Sequence, residues 1–286
     1  MFASVLGQFG HPFYVAFAWI LSGTYALIPN YALAIALLTL VVMVALYPIT
    51  QRGMRSALKM RVLAPEIEEL RAEHTLQPGL PHSHRKDLQQ RQQAELMELY
   101  KENDISPAGG CLPIVLQFPI LIVLYGTIRG LVHQTVVQGV HVADPLYVGH
   151  GTKLFNAIAA AHGHLVAFGL NLADSARTPG LEWATRSPFI ALVLVAVALA
   201  YVQMRRTGIP HARPAAAISP VQRVQSFVPL LVPLVLTVVY LSVPSGVIVY
   251  FIASSLIRIL QQAVMHRRDP QIRTSLEKLH TQFGSG

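Results

Sequence analysis

One positive charge lies inside a long apolar stretch near the carboxyl end of the chain. Residues 224–257 contain no charged side chain, and Arg258 follows within what the pattern predicts to be the last membrane-spanning helix. A cation inside a span costs about 2.5–3.5 kcal/mol and usually faces an interior cavity. Phe251 and Ser255 precede it at helical spacing, which places the three side chains on one helix face. Arg258 is therefore a candidate electrostatic site for an acidic group; alternatively, its side chain extends to the nearby headgroups.

Two further polar side chains, Gln117 and Gln203, stand within predicted spans. Each could form a helix–helix hydrogen bond, which is typically worth less than about 2 kcal/mol. The other interpretation is that both amides line a polar cavity together with Arg258. We favour the cavity for both residues.

No motif typical of an enzyme active site occurs in the sequence. It contains no nucleotide-binding loop, zinc-protease signature or Ser-centred elbow. The pairs His82-x-His84 and His162-x-His164 lack neighbouring Cys or carboxylate ligands, so they are weak indications of a metal site. Cys111 is the only cysteine, which excludes an intramolecular disulfide. We predict a protein that is not an enzyme, with no catalytic residues, no metal and no cofactor.

The composition predicts a membrane protein that crosses the bilayer several times. Of 286 residues, 53% are hydrophobic and 13% are charged, whereas a soluble domain carries about 25% charge. One span needs about 20 apolar residues, and Pro244-Ser245-Gly246 divides the last apolar stretch because Pro and Gly favour a turn. We expect an all-α fold with five transmembrane helices, at 31–49, 105–131, 186–204, 224–243 and 245–264.

The distribution of Lys and Arg predicts the orientation of these spans. Residues 50–104 contain nine basic side chains, and 205–223 and 265–286 contain four each. The segments on the opposite side contain only four, Arg129, Lys153, Arg177 and Arg186. Basic residues collect on the cytoplasmic side, so the amino terminus is expected outside and the carboxyl tail inside, in a bacterial cytoplasmic membrane. The same bias explains the net charge of +8 without nucleic acid as a partner.

Three segments between the spans have their own predicted structure. Residues 1–30 are expected to form an external helix on the membrane surface, at 13–28; a sixth span is the alternative. The external segment 132–185 is expected to be irregular, with a surface helix at 155–172. In 50–104, helices at 52–71 and 86–103 are joined by a loop at 75–84, which contains Pro-Gly.

The cytoplasmic helical hairpin 50–104 is basic where it leaves the membrane. Its first four charges are all positive and come before the first acid, Glu66. Such a cluster attracts anionic lipid headgroups, and the alternative is an ordinary solvated helix face. The candidate lipid-binding residues are Arg52, Arg55, Lys59 and Arg61.

Three blocks of sequence resemble the YidC/Oxa/Alb family of membrane-protein insertases. They are Tyr47-Pro48-Ile49-Thr50, followed by Lys59-Met60-Arg61; Ser106-Pro107-Ala108-Gly109-Gly110-Cys111-Leu112-Pro113, followed by Gln117-Phe118-Pro119; and Val243-Pro244-Ser245-Gly246 through Phe251. They occur in the family's order, and the resemblance covers about residues 31–131 and 186–265. No large external domain precedes the first span, so the chain resembles the short bacterial form.

The resemblance implies five spans around a polar groove that opens to the cytoplasm and to lipid. It implies an insertase and chaperone that inserts small membrane proteins without ATP chemistry. Its partners would be nascent membrane proteins and the lipid bilayer, with the Sec translocon and the ribosome as further candidates. Two other functions remain open: an assembly factor that lacks insertion activity, and a transporter of small solutes. A transporter is expected to show internal repeats and paired broken helices, which the sequence lacks.

The chain departs from the family at the position of the groove charge. Relatives carry an Arg five residues before the Pro of the Tyr-Pro pair, and Met43 occupies that position here. The hypothesis is that Arg258 points into the groove and replaces the missing charge. The resemblance also predicts substrate contacts for Phe118, Pro119 and Phe251. Tyr250 would cap the outer end of the groove or simply pack. The complete predicted groove set is Arg258, Gln117, Gln203, Phe118, Pro119, Tyr250, Phe251, Ser255 and Met43.

Overall fold

The structure is a computed structural model that describes residues 2–63, 66–67, 69–70, 82–105, 112–180, 182–207 and 234–268. These residues are mostly helical, as predicted, but two short β-hairpins depart from the expected all-α fold. The chain divides into two compact units. The first contains residues 1–46, 114–200 and 234–258, and the second contains 47–113, 201–233 and 259–286.

In chain order the elements are α1 (Phe2–Leu27), α2 (Tyr31–Ala45), α3 (Tyr47–Val62), α4 (His82–Glu102), α5 (Leu112–Leu131), β1 (Gln134–Val137), β2 (Val140–Ala143), α6 (Lys153–Ala160), β3 (Val166–Ala167), β4 (Leu170–Asn171), α7 (Trp183–Thr207) and α8 (Ser245–Arg268). Residues 234–242 are also helical. The predicted spans at 105–131 and 224–243 lie partly outside the described residues.

The helices α1 and α2 pack against each other at the start of the first unit. They are separate helices because Pro29 has no amide hydrogen and because Asn30 caps α2, its side-chain oxygen accepting from the Ala32 amide at 3.0 Å. Thr24 of α1 then donates to the carbonyl of Ala34 at 3.2 Å, which joins the two helices. The helix α1 begins at Phe2, well before the predicted range 13–28, and it buries one face against α2.

The core of the first unit brings together α1, α2, α5, α6 and α8. Leu124 and Ile128 of α5, Leu154 of α6 and Val247 of α8 are all buried there. A smaller cluster joins α7, the helical residues 234–242 and α8 through Val193, Ala196, Tyr240 and Ile248. The helix α8 contributes to both clusters, so it is the element around which the first unit packs.

Regular structure occurs in 132–185, which was predicted to be irregular. The antiparallel pairs β1–β2 and β3–β4 each form a hairpin with a two-residue turn. The predicted helix at 155–172 is wrong in its second half, since α6 ends at Ala160 and β3 begins at Val166. Gly163 and Gly169 explain the difference, because their φ angles of 82° and 76° suit a helix end and a tight turn.

The amino terminus of α8 is anchored by the loop that follows β4. The amide of Ser245 donates to the carbonyl of Asp174 at 2.7 Å, and the amide of Gly246 donates to the carbonyl of Leu172 at 2.8 Å. The first amides of a helix have no partner within that helix. The loop therefore supplies the missing acceptors just after Pro244, where the sequence predicted a break.

The second unit contains a helical hairpin with its own small core. Leu63, Ile67 and Ile105 are buried, and partly buried residues of α3 and α4 pack around them. Lys59 of α3 donates to the carbonyl of Asn103 at 3.1 Å. The helix α4 begins at His82, so the last three residues of the predicted loop at 75–84 belong to that helix instead. The rest of that loop lies outside the described residues.

Two described helices, at Trp183–Gln203 and Ser245–Val264, are long and apolar enough to cross a membrane. Tyr31–Ala45 and Tyr47–Ser56 pass the same test together, which makes a third candidate if they form one broken span. Val115–Leu131 is a shorter apolar helix. Five spans therefore remain a prediction.

Gly246 offers a direct test of the packing around α8. A methyl group there would lie 3.0 Å from the Ile128 side chain, 3.2 Å from the Leu172 carbonyl and 3.3 Å from the Ile35 side chain. We expect Gly246→Ala to lower the free energy of unfolding by about 1–3 kcal/mol, because overpacking forces neighbours to shift. Thermal denaturation in detergent micelles measures the effect.

Gly23→Ala is the matched control for that prediction. Gly23 lies inside α1, and no atom stands within 4 Å of the position that a methyl group would take. Alanine is the better helix former by about 0.5–1 kcal/mol, so this variant is expected to be as stable as the parent or more so. An equally stable Gly246→Ala protein would contradict the close approach of α8 to its neighbours.

Candidate functional site

A chain of hydrogen bonds connects Arg258 to two other predicted site residues. The guanidinium of Arg258 donates from Nη2 to Oε1 of Gln117 at 2.6 Å. The amide of Gln117 donates from Nε2 to the hydroxyl of Tyr250 at 3.1 Å. Residues eight apart on a helix are separated by about 12 Å along its axis. Gln117 on α5 therefore bridges two turns of α8 that could not meet directly.

The Arg258 side chain points into the first unit instead of away from it. Its partner Gln117 belongs to the neighbouring helix, and its Nε atom is buried with no hydrogen-bond partner among the described residues. A guanidinium that snorkelled to headgroups would extend along its own helix toward the membrane surface. The geometry therefore agrees with the inward orientation that the sequence predicted.

No acidic side chain on the surrounding helices balances this charge. None of α1, α2, α5, α7 and α8 contains Asp or Glu, and neither do the helical residues 234–242. Both groups that Arg258 reaches through the hydrogen-bond chain are neutral. A buried charge without a counterion is costly. The described helices of the first unit therefore supply no counterion for Arg258.

Aromatic rings border the site on α8 and on the preceding helical segment. The rings of Tyr250 and Phe251 meet edge to face, with centroids 5.6 Å apart. The ring of Tyr240 packs against Phe251 at 4.9 Å. Tyr240 is buried and was not predicted from the sequence. A tyrosine inside an uncharged stretch was the available signal, whereas Tyr250 was named through the family resemblance.

Small side chains surround Arg258 along α8. Ser254 and Ser255 are both buried one turn before it, and the Ser254 hydroxyl donates to the carbonyl of Phe251 at 3.0 Å. Small residues allow neighbouring helices to approach closely. Ser255 thus belongs to the buried face of α8, and its predicted place in a substrate groove stays a prediction.

Met43 lies inside the first unit, with only 2% of its surface exposed. One turn earlier on α2, Thr39 is also buried and donates to the carbonyl of Ile35 at 2.7 Å. The buried face of α2 therefore offers a hydroxyl that is already bonded and a thioether. It contributes no charge to the interior.

The remaining predicted residues are Phe118 and Pro119 on α5 and Gln203 on α7. Phe118 and Pro119 lie on the exposed side of α5, where Phe118 is 62% exposed. Pro119 lacks an amide hydrogen, so the carbonyl of Val115 lacks its usual helical partner. Gln203 belongs to the part of α7 in the second unit and is half-buried.

The basic residues predicted to meet lipid lie on α3 of the second unit. Arg52, Arg55 and Lys59 are exposed, and their spacing of three and four residues puts them on one helix face. The Lys59 ammonium is engaged with the carbonyl of Asn103 at the end of α4. Arg61 lies on the same helix, but its side chain is outside the described residues.

No metal centre is formed by the described part of the chain. Within it, no group of three or more His, Cys, Asp or Glu side chains lies close enough to hold an ion. His162 and His164 flank a tight turn, where the His164 ring meets the Asn171 amide at 3.3 Å. The ring of His164 therefore has a local contact within this segment.

The hydrogen-bond chain predicts energetic coupling between Gln117 and Tyr250. In a double-mutant cycle of Gln117→Leu and Tyr250→Phe, we expect a coupling of about 0.5–1.5 kcal/mol in the free energy of unfolding, the range of a typical hydrogen bond. Chemical denaturation in micelles measures it. Gln117→Leu combined with Tyr25→Phe on α1 serves as the control pair and should be additive. Additivity of the first pair would contradict the contact.

The chain is similar in sequence and fold to known proteins. The family model described as "60Kd inner membrane protein" matches residues 23–272. Curated relatives named "Membrane protein insertase YidC" include those of Pasteurella multocida (strain Pm70), 28% identical, and Haemophilus influenzae (strain PittEE), 30% identical, each over 87% of this chain. The chain spans only 36% of the length of either relative.

A solved structure shares the fold. It is described as "Active YidC insertase crystal structure with the first transmembrane domain resolved". It matches 90% of this chain and 46% of that chain with a TM-score of 0.50 and 19% identity. Together with the match over residues 23–272, this confirms the predicted resemblance. The chain belongs to the 60Kd inner membrane protein family.

Proposed function

We propose that this inner-membrane protein is an insertase and chaperone for small membrane proteins. The observation that carries the proposal is the inward-facing Arg258, whose hydrogen bond among the described residues is to a neutral partner, on helices that contain no Asp or Glu. Relatives named as YidC insertases support it. Because the chain covers about a third of their length, the activity is an inference from this site and from the shared fold.

The work of such a protein is to lower the cost of moving polar groups across hydrocarbon. An unsatisfied backbone group costs several kcal/mol there. A polar groove offers hydrogen-bonding partners part of the way and shortens the apolar distance. The passenger helix then leaves sideways into lipid because its own apolar surface is more stable there. No ATP or covalent intermediate is needed.

In the proposed mechanism Arg258 takes the place of the charge that relatives carry where this chain has Met43. An acidic group in the passenger is attracted by the guanidinium, and the attraction is strong because the surroundings have a low dielectric constant. Gln117 accepts a hydrogen bond from the guanidinium and orients it. Because the amide is neutral, it leaves the positive charge of Arg258 unbalanced. The hydroxyl of Tyr250 orients Gln117 in turn, so the three residues form a preorganised binding site for a carboxylate.

The other predicted groove residues would guide the passenger past this acceptor. Phe251 and Ser255 lie on the buried face of α8 next to Arg258. Phe118 and Pro119 expose an apolar surface on α5, which suits the apolar helix of a passenger. Gln203 would add a polar contact on α7.

The proposed topology has five spans, with the amino terminus outside and the carboxyl tail in the cytoplasm. The helical hairpin formed by α3 and α4 would then lie in the cytoplasm and receive passengers. The basic face of α3, formed by Arg52, Arg55 and Lys59, would lie among anionic headgroups, and Arg61 stays a further candidate for lipid binding. Nascent membrane proteins are the proposed clients, and the Sec translocon and the ribosome remain candidate partners.

Replacement of Arg258 tests the proposal most directly. We expect Arg258→Ala to lower insertion of a single-span passenger with Asp or Glu in its translocated tail about tenfold, which corresponds to about 1.4 kcal/mol. Insertion is measured by protease accessibility of the passenger in a strain depleted of its own insertase. Arg258→Lys retains the charge and is expected to keep most of the activity.

The matched passenger with Asn or Gln in place of the acids is the control for charge. Its insertion should change little in Arg258→Ala. Arg129→Ala controls for the loss of any arginine, because Arg129 is an exposed basic residue at the far end of α5. Equal insertion of the acidic passenger by Arg258→Ala and the parent protein would refute the role of Arg258. Failure of the parent protein to support any insertion would favour an assembly factor without insertion activity.

Gln117→Glu separates charge from packing. Glutamate has nearly the same shape and would keep the contact with Arg258, but it would neutralise the guanidinium inside the groove. We expect insertion of the acidic passenger to fall about as far as in Arg258→Ala, while thermal stability is retained or rises because a buried charge gains a counterion. Insertion and thermal denaturation are measured on the same protein. Undiminished insertion would show that the net charge at this position is unimportant.

A further inference from the structure

The β1–β2 hairpin presents two different faces. Its register pairs Gln134 with Ala143 and Val137 with Val140, across a turn made by Gln138 and Gly139. Directly opposed residues of an antiparallel pair point to the same side, and successive residues alternate. Gln134, Val136, His141 and Ala143 therefore share one face, and Thr135, Val137, Val140 and Val142 share the other.

The first face is turned toward the body of the first unit. The side chain of Gln134 donates to the carbonyl of His162 at 3.1 Å. A methyl group on Gly163 would meet the same Gln134 side chain at 3.1 Å and the Ala143 side chain at 3.7 Å. Gln134 and Ala143 of this face therefore rest on the turn after α6, whereas Val136 and His141 of the same face are exposed nearer the tip of the hairpin.

The opposite face carries three exposed valines and the half-buried Thr135. Val137, Val140 and Val142 are 54%, 62% and 46% exposed. A cluster of exposed apolar side chains marks a protein or membrane interaction site. We refer to Thr135, Val137, Val140 and Val142 as the valine face.

The charge pattern around the valine face selects lipid as the occupant. Residues 130–143 contain no Asp, Glu, Lys or Arg. Strands that face water at the edge of a sheet usually carry charges, lysine above all, that prevent pairing with other chains. Two-stranded hairpins are also marginally stable in water on their own. The β1–β2 hairpin lacks such charges, which suits an environment where water and soluble partners are scarce.

The position of the hairpin agrees with a membrane boundary. β1 begins at Gln134, three residues after α5 ends at Leu131, so it leaves the same membrane surface as the helix. On the other side of the same segment, Trp183 starts α7 and is 75% exposed. Tryptophan is enriched where spans meet the headgroup region.

The β3–β4 hairpin of the same segment also exposes a large apolar side chain. Phe168 lies at the tip of the β3–β4 hairpin with a φ of 54°, and its ring is 74% exposed. A bulky residue rarely adopts that conformation, and Asn or Gly is normal in such a turn. Strain of this kind points to a function for the side chain.

We propose that the valine face and Phe168 insert into the boundary between headgroups and acyl chains on this side of the membrane. They would anchor the segment 132–182 to lipid and hold the loop that caps α8 at a constant depth. The partner is the bilayer itself. The proposal rests on the proposed placement of α5 and α7 in the bilayer and is independent of insertion activity.

Fluorescence quenching by lipids tests the anchor in the full chain. A polarity-sensitive label is attached to Val140→Cys in a Cys111→Ser background, and the protein is reconstituted into phosphatidylethanolamine–phosphatidylglycerol vesicles. Some of the lipids carry a nitroxide near the headgroup. We expect a blue-shifted emission and quenching several-fold stronger than for the label at His141→Cys, the adjacent residue on the opposite face. A label at Phe168→Cys is expected to behave like the one at Val140.

Leu194→Cys provides the reference for membrane placement. Leu194 is exposed in the middle of the candidate span Trp183–Gln203, so its label should meet lipid wherever the hairpin lies. Strong blue shift at Leu194 together with weak quenching at Val140 would overturn the anchor and leave the proposed function intact. Equal quenching at Val140 and His141 would also overturn it, because the valine face would not be the lipid contact. A water-exposed label at Leu194 would overturn the membrane placement on which both proposals depend.

Discussion

Arg258 holds a positive charge among helices that contain no Asp or Glu. Keeping a charge in such a place is costly unless it is paired or hydrogen-bonded. The structure meets this requirement only in part, with one short hydrogen bond to Gln117 and a buried Nε that has no partner among the described residues. In the proposed mechanism, the carboxylate of an acidic passenger completes the hydrogen bonding of Arg258 and balances its charge.

The contact between Arg258 and Gln117 requires a defined position of α8. A hydrogen bond between α5 and α8 depends on the depth and rotation of both helices. The amides of Ser245 and Gly246 are tied to the loop after β4, and Gly246 lets α8 approach α2 and α5 closely. The segment 132–182 thereby sets the position of the site from the other end of the helix. If that segment is itself anchored in lipid, the depth of Arg258 is referenced to the membrane.

Much of the site was predictable because its residues violate a simple pattern. Arg258 and Gln117 are polar groups in apolar stretches. Burying such groups in a membrane costs free energy, which makes them candidates for a functional site. Tyr240 was missed because an aromatic ring in a span is usually core. The hairpins were missed because 134–143 and 166–171 are short, and brief apolar runs do not distinguish strand from helix. The end of α6 at Ala160 depends on backbone angles at glycines, which composition does not reveal.

By itself the sequence determined the class of protein, the break at Pro244 and the family. These follow from local properties: charge, apolar length, the missing amide of proline and recognisable blocks of residues. Only the tertiary structure decided that Arg258 turns toward Gln117, which is 141 residues away in the chain. It alone also showed that Phe118 is exposed while Met43 is buried. Side-chain direction depends on how helices rotate and pack against each other, and that is a property of the whole fold.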